Sequence, residues 1–189
     1  MVQEIRAMPE EMDPKLWRGF KSPTAAWQGR IAALFIAPIS AGPMVSLPSV
    51  RAFADRGLEG DRFFRDSWSK VKRPDKAVSL IEAETLDLAA RELGVESIAD
   101  QTRRNIVTRG VPLIDLLHRE FTIGGIRMRG IRLFEPCGHL VKVTKMPGIF
   151  PALHHRSGLK AEILSDGMIS VGDAVALGSG VETLASAAV

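Results

Sequence analysis

Phe121-Thr122-Ile123-Gly124-Gly125-Ile126-Arg127-Met128-Arg129-Gly130-Ile131-Arg132-Leu133-Phe134 is the stretch that decides the fold. Phe121 to Ile123 and Ile126 to Phe134 read as two strands joined across the Gly124-Gly125 turn. In the second strand the apolar positions are Ile126 and Met128, then Ile131 and Leu133, so the alternation slips by one residue at Gly130. A glycine at a phase slip suits a β-bulge, and bulges bend strands far enough to close a sheet. The segment therefore predicts a curved sheet rather than a flat one.

The flanking sequence holds more short strands. Ile31 to Ile36 is a run ended by Pro38, and Val45 to Val50 is interrupted by Pro48. Ala77 to Ile81 and Arg104 to Thr108 follow. Ala161 to Leu164 and Met168 to Val171 flank Ser165-Asp166-Gly167, which predicts a second hairpin, and Ala174 to Leu177 adds a last strand. One helix is expected over Glu82 to Leu93. Its Leu86, Ala89, Ala90 and Leu93 share a face, acids crowd its first turns, and Gly94 stops it. Pro112 to Leu117 reads as a short helical turn. Together these predict a mainly β fold with some α, a closed or partly closed β-barrel decorated by helices; an α+β sandwich is the alternative. Residues 1–28 read as an irregular extension packed through Trp17 and Trp27, residues 29–178 as the barrel domain, and residues 179–189 as a flexible tail.

The chain has 189 residues, with 25% charged and 46% apolar, which suits one domain with a single core. No apolar run approaches the roughly 20 residues that span a membrane. The N-terminal acids Glu4, Glu10, Glu11 and Asp13 do not read as a signal peptide. With a single cysteine, this gives a cytoplasmic expectation. The formal charge is +3, with arginines densest at 51–65, 103–104 and 127–132. That suits one anionic small molecule better than a nucleic acid, which needs a broad basic face. Residues 51–75 show no period, and a long irregular segment inside a domain is more often functional than decorative.

Cys137 sits in Glu135-Pro136-Cys137-Gly138-His139. Without a partner thiol it is either a buried small hydrophobe or a reactive sulfur. Proline and glycine beside it mark a turn. A helix beginning at Leu140-Val141-Lys142-Val143 would favour the thiolate through its N-terminal partial charge. Cys137, His139, His154 and His155 hold enough donors for zinc, but they lack the paired Cys-x-x-Cys clusters of structural zinc sites.

Four segments carry a family likeness: Gly57-Leu58-Glu59-Gly60-Asp61-Arg62; Arg104-Asn105-Ile106 with Thr108 and Gly110; Pro136-Cys137; and Gly167-Met168-Ile169-Ser170-Val171-Gly172-Asp173. In this order they resemble the MOSC domain, named for the C-terminal part of molybdenum-cofactor sulfurase. The resemblance implies a closed β fold, also seen in the pyruvate kinase β-barrel domain, and a site for the molybdenum cofactor (molybdopterin). It also implies a cysteine that handles sulfur as a persulfide or ligates molybdenum, here Cys137 as both the catalytic and the metal-binding residue. Gly60, Asp61, Arg62, Arg104 and Asn105 become the cofactor-binding candidates. Arg62 and Arg104 match phosphate geometry, and the Asn105 amide suits a pterin edge. Arg104 matches the motif, so Arg104→Ala is expected to weaken cofactor retention more than Arg103→Ala.

Some stand-alone bacterial members are similar to reductases of N-hydroxylated bases or amidoximes. The implied function is therefore molybdenum-dependent sulfur or oxygen transfer, or reduction of N-hydroxylated compounds. The alternatives are a non-catalytic carrier of sulfur or cofactor, and a zinc- or nucleotide-binding module. The expected partners are the pterin, an external electron-donor or acceptor protein, and a second copy of the chain in a homodimer, with no membrane. The chain departs from the family pattern twice. Phe63-Phe64 stands where many relatives have histidine, which removes a polar contact and leaves room for a different substrate. Arg156-Ser157-Gly158 replaces an Arg-Gly-Gly stretch, a change expected to touch only a turn.

Overall fold

Glu120–Ile123 and Ile126–Leu133 form the hairpin that the glycine pair predicts, with Thr122 opposite Arg127 and Ile123 opposite Ile126. Against the next strand, Gly130 faces Ala161 and Arg132 faces Lys160, so Ile131 is the extra residue of a bulge. Close approach also demands glycine there, because a Cβ at 130 would sit 2.1 Å from the Leu116 carbonyl oxygen.

The structure is a computed structural model that describes residues 13–22, 26–65 and 74–178. The tail expected at 179–189 and the start of the extension lie outside the described residues. In chain order the first strands are β1 (Gly29–Ile36), β2 (Val45–Leu47), β3 (Ser49–Phe53), β4 (Gly57–Leu58) and β5 (Val78–Glu82). Helix α1 (Ala83–Leu93) leads to β6 (Ile106–Arg109), and the hairpin supplies β7 (Glu120–Ile123) and β8 (Ile126–Leu133). Helices α2 (Gly138–Thr144) and α3 (Ile149–Leu153) precede β9 (Leu159–Ile163), β10 (Gly167–Ser170) and β11 (Ala174–Leu177).

Seven strands run β11-β7-β8-β9-β5-β6-β1, and pairing of β1 with β11 closes the barrel. Among the named strands of the described residues only β5 and β6 run parallel, joined through α1. The strand β2 extends one end of β1, while β3, β4 and β10 make a separate three-stranded sheet. Pro48 stands at the break between β2 and β3, so the run Val45 to Val50 serves two sheets. The hairpin expected at Ser165-Asp166-Gly167 does not form. Both edges of β9 are already paired, with β8 and with β5, so β10 has no edge to join and pairs with β3. The turn side chains serve other segments: Asp166 Oδ1 accepts the Ala54 N–H at 2.7 Å and Ser165 Oγ accepts the Arg127 N–H at 2.9 Å.

Leu34, Leu80, Ile106, Phe121, Met128, Leu159 and Val175 bring every barrel strand into one apolar cluster. The opposite face of β5 and β6 packs Ile81 and Val107 against Leu86 of α1, Leu140 of α2 and Leu153 of α3. With both faces covered, every residue of β5 is buried. Trp17 joins the inner cluster at 3% exposure, and Trp27 packs beside it with its indole N–H donating to Asp115 Oδ2 at 3.1 Å. Among the described residues no helix is long and apolar enough to cross a membrane.

Glu82, at the start of α1, is fully buried. Burial pushes its carboxyl up from 4.5 to about 8, against donation from the Leu113 N–H at 3.1 Å, Thr85 Oγ1 at 2.9 Å and the Phe20 backbone. Between 4.5 and about 8 the unfolded chain has lost this proton while the folded one keeps it. Stability from this group is therefore complete below 4.5 and falls as pH rises through about 8. Urea unfolding should show a decline between about pH 5 and about pH 8.5 that Glu82→Gln flattens. An identical decline in the variant would mean that other groups cause it.

Candidate functional site

A small, open cleft of about 50 Å³ lies where the 61–63 loop, the 74–76 turn, the start of β5 and residues 103–105 converge, with Phe134 and Lys160 also lining it. Asp61 builds the near wall. Its Oδ2 accepts the Ala37 N–H at 2.9 Å and the Asn105 amide at 3.2 Å, and its Oδ1 accepts the Phe63 N–H at 2.9 Å. Gly60 before it adopts φ 78°, a value favouring glycine, and packs against Ile36 without lining the cleft. The Arg62 guanidinium rests over the Phe63 ring at 4.3 Å. The Phe63 ring thus seats a cation.

Asn105 lines the cleft, yet its amide is fully engaged by the fold. Its Oδ1 accepts the Ser79 N–H at 3.1 Å and the Ser79 hydroxyl at 2.8 Å; its Nδ2 donates to Phe35 O and Asp61 Oδ2, both at 3.2 Å. Two acceptor sites and two donors are all that an amide has. The residue ties β1, β5 and the 61–63 loop together and so positions the cleft.

The neighbouring arginines divide their work. Arg104 is 4% exposed and does not line the cleft. Its Nε and Nη2 donate to Ser157 O at 2.8 Å and Ser157 Oγ at 2.5 Å, its Nη1 donates to Thr102 O at 2.9 Å, and the guanidinium lies 3.6 Å from the Phe134 centroid. Burial brings it down to about 9, with the charges of Cys137 and Glu135 acting the other way. Ser157 therefore does more than shape a turn: it holds this guanidinium beneath the wall. Arg103 does line the cleft. Its Nη1 donates to Gly42 O at 2.7 Å, whereas Nε and Nη2 are buried without a partner among the described residues. Burial first, and then the like charge of Arg62, lower its affinity for the proton.

Lys160 and Phe134 escaped the sequence reading. The Lys160 ammonium lies 4.4 Å from the Phe134 centroid, and burial together with Arg132 lowers its pKa to about 8. The lining thus sets Arg62, Lys76, Arg103 and Lys160 against only Asp61 and Asp75. A basic cleft lined by an arginine whose buried N–H groups lack a partner among the described residues suits an anion, and a phosphate or a carboxylate accepts a guanidinium fork.

Cys137 is exposed at the head of α2, the helix that Leu140 to Val143 was expected to begin. It does not line the cleft. It belongs to the segment that starts at the cleft wall with Phe134, and its charge acts on Arg104. His139 is exposed beside it.

The fold is similar to three solved bacterial structures. YuaD from Bacillus subtilis matches at 16% identity with a TM-score of 0.66, covering 80% of this chain and 98% of that one. YiiM from Geobacillus stearothermophilus matches at 17% identity and 0.60, covering 80% and 75%, and YiiM from Escherichia coli at 18% and 0.60, covering 82% and 72%. No curated protein sequence matches. The MOSC domain matches residues 56–176, a span that holds the 61–63 loop, residues 103–105, Cys137 and Lys160. The chain belongs to the MOSC domain family.

Proposed function

We propose that the protein binds a phosphorylated pterin, the molybdenum cofactor, in the basic cleft and works in oxygen or sulfur transfer or in reduction of N-hydroxylated compounds, with Cys137 as its functional sulfur. The observation that carries this reading is Arg103: it lines the cleft, and two of its guanidinium nitrogens are buried with no partner among the described residues. Leaving them so costs stability unless an anion completes them. Arg103 and Arg62 hold the phosphate, Lys160 and Lys76 add charge, and Arg104 supports the wall from behind. When bound, the group supplies molybdenum for atom transfer or N–O reduction, with electrons from a separate donor protein. A thiolate at Cys137 is the soft ligand such a metal prefers.

The test compares molybdenum and pterin retained per folded chain after expression in a cofactor-competent host. Residue 103 has φ 60°, so asparagine, which tolerates that backbone, is the replacement. Arg103→Asn should lower retention by about tenfold or more with little change in melting temperature. Arg104→Ala should instead lower the melting temperature, since it empties a buried, hydrogen-bonded site. Unchanged retention in Arg103→Asn would remove the cleft as the cofactor site.

The exposure of Cys137 favours a second reading, a carrier that passes a persulfide to a partner enzyme. Turnover of hydroxylamine-type substrates with an added reductase supports the enzyme. Sulfur release to an acceptor without such turnover supports the carrier.

A further inference from the structure

The segment before Cys137 meets the connection from α3 to β9 in a second group of donors. Glu135, His154 and His155 each offer one ligand atom, and these atoms lie within 4.8 Å of one another. Neighbouring residues of an extended chain point their side chains to opposite sides. Here His154 ends α3 in an extended conformation and His155 turns left-handed at φ 61°, which brings the two imidazoles to 3.7 Å between centroids. Phe150 stacks on the His154 ring at 5.7 Å and holds its plane. Glu135 is fixed from two sides: its Oε2 accepts the His155 N–H at 3.0 Å, and its Oε1 lies 2.8 Å from His155 Nδ1. All three residues are half-buried, within reach of solvent.

We infer that Glu135, His154 and His155 form a site for one divalent ion of the zinc class, distinct from the basic cleft. Two imidazole nitrogens and one carboxylate oxygen are the donors such an ion takes, and three protein ligands leave a fourth position for water. The set differs from the zinc group that the sequence suggests, because Glu135 takes the place of Cys137 and His139. It also differs from a soft thiolate site, so it stands whether or not a pterin binds. The ion would tie the Cys137 segment to α3. Glu135 also acts on the nearby Arg104 guanidinium, and that positive charge opposes the ion. The ion is therefore held more weakly than these three ligands would hold it without that charge.

The test titrates Zn²⁺ into the purified full chain against a chromophoric chelator. About one ion per chain is expected. Glu135→Gln keeps an acceptor for the His155 N–H, and His155→Asn suits the left-handed backbone; each should weaken binding by about tenfold or more. Cys137→Ser should bind zinc as the parent protein does. Zinc should also protect His154 and His155 from diethylpyrocarbonate in the unsubstituted protein, a readout that needs no variant to fold. Absence of binding, equal modification with and without zinc, or zinc binding lost in Cys137→Ser would each overturn the inference.

Discussion

Replacing Gly158 by alanine should destabilise the protein by about 4 kcal/mol or more, which for a chain of this size lowers the melting temperature by about 10 °C. Gly158 adopts φ 113°, a backbone that residues with a Cβ rarely enter, and an added Cβ would sit 2.0 Å from the Leu80 carbonyl oxygen. That oxygen belongs to β5, buried on both faces, so it has nowhere to move. The same peptide stretch is bonded on its other sides. Gly158 O accepts the Phe134 N–H at 2.8 Å, and Ser157 accepts two bonds from Arg104. Separating β9 from β5 would therefore open the barrel and loosen the cleft wall together. Thermal and urea unfolding read the effect. A melting temperature within about 2 °C of the parent would show that this junction yields more easily than its geometry requires.

Cys137→Ser should abolish activity and leave the fold intact. The thiol is exposed and caps no helix N–H, so its loss removes no packing and stability should change by less than about 0.5 kcal/mol. Function is another matter, because a hydroxyl is a poor ligand for a soft metal and carries no persulfide. The informative readout is the pair of measurements. Full turnover in the serine variant, at an unchanged melting temperature, would take Cys137 out of the chemistry.

What was legible in the sequence was local. The Gly124-Gly125 turn and the slip at Gly130 concern residues that meet within one hairpin, and their pattern needs no knowledge of the rest. The face of α1 carrying Leu86 was readable for the same reason. The Asp166-Gly167 turn misled because hairpin chemistry says nothing of whether a strand edge is still free. In the site, the family motif led to Asp61, Arg62 and Asn105, three residues that the fold brings to one cleft. The role of Asn105 was hidden, since its four bonds reach Phe35, Asp61 and Ser79, all distant in the chain. So was the division between Arg103 and Arg104. It turns on a left-handed backbone at Arg103, a conformation that arginine does not signal. Phe134 read only as the end of a strand and Lys160 lay just before the strand expected at Ala161, and only closure of the barrel makes them walls of a pocket.

The proposed function requires a molybdenum-bearing pterin in this barrel beside a functional thiol. Molybdenum and pterin content of the protein, purified from a host that makes the cofactor, tests it most directly. About one of each per chain is expected, reduced together in Arg103→Asn while the melting temperature holds. Neither group above the level of an unrelated protein prepared in the same way, or zinc alone in their place, would contradict it.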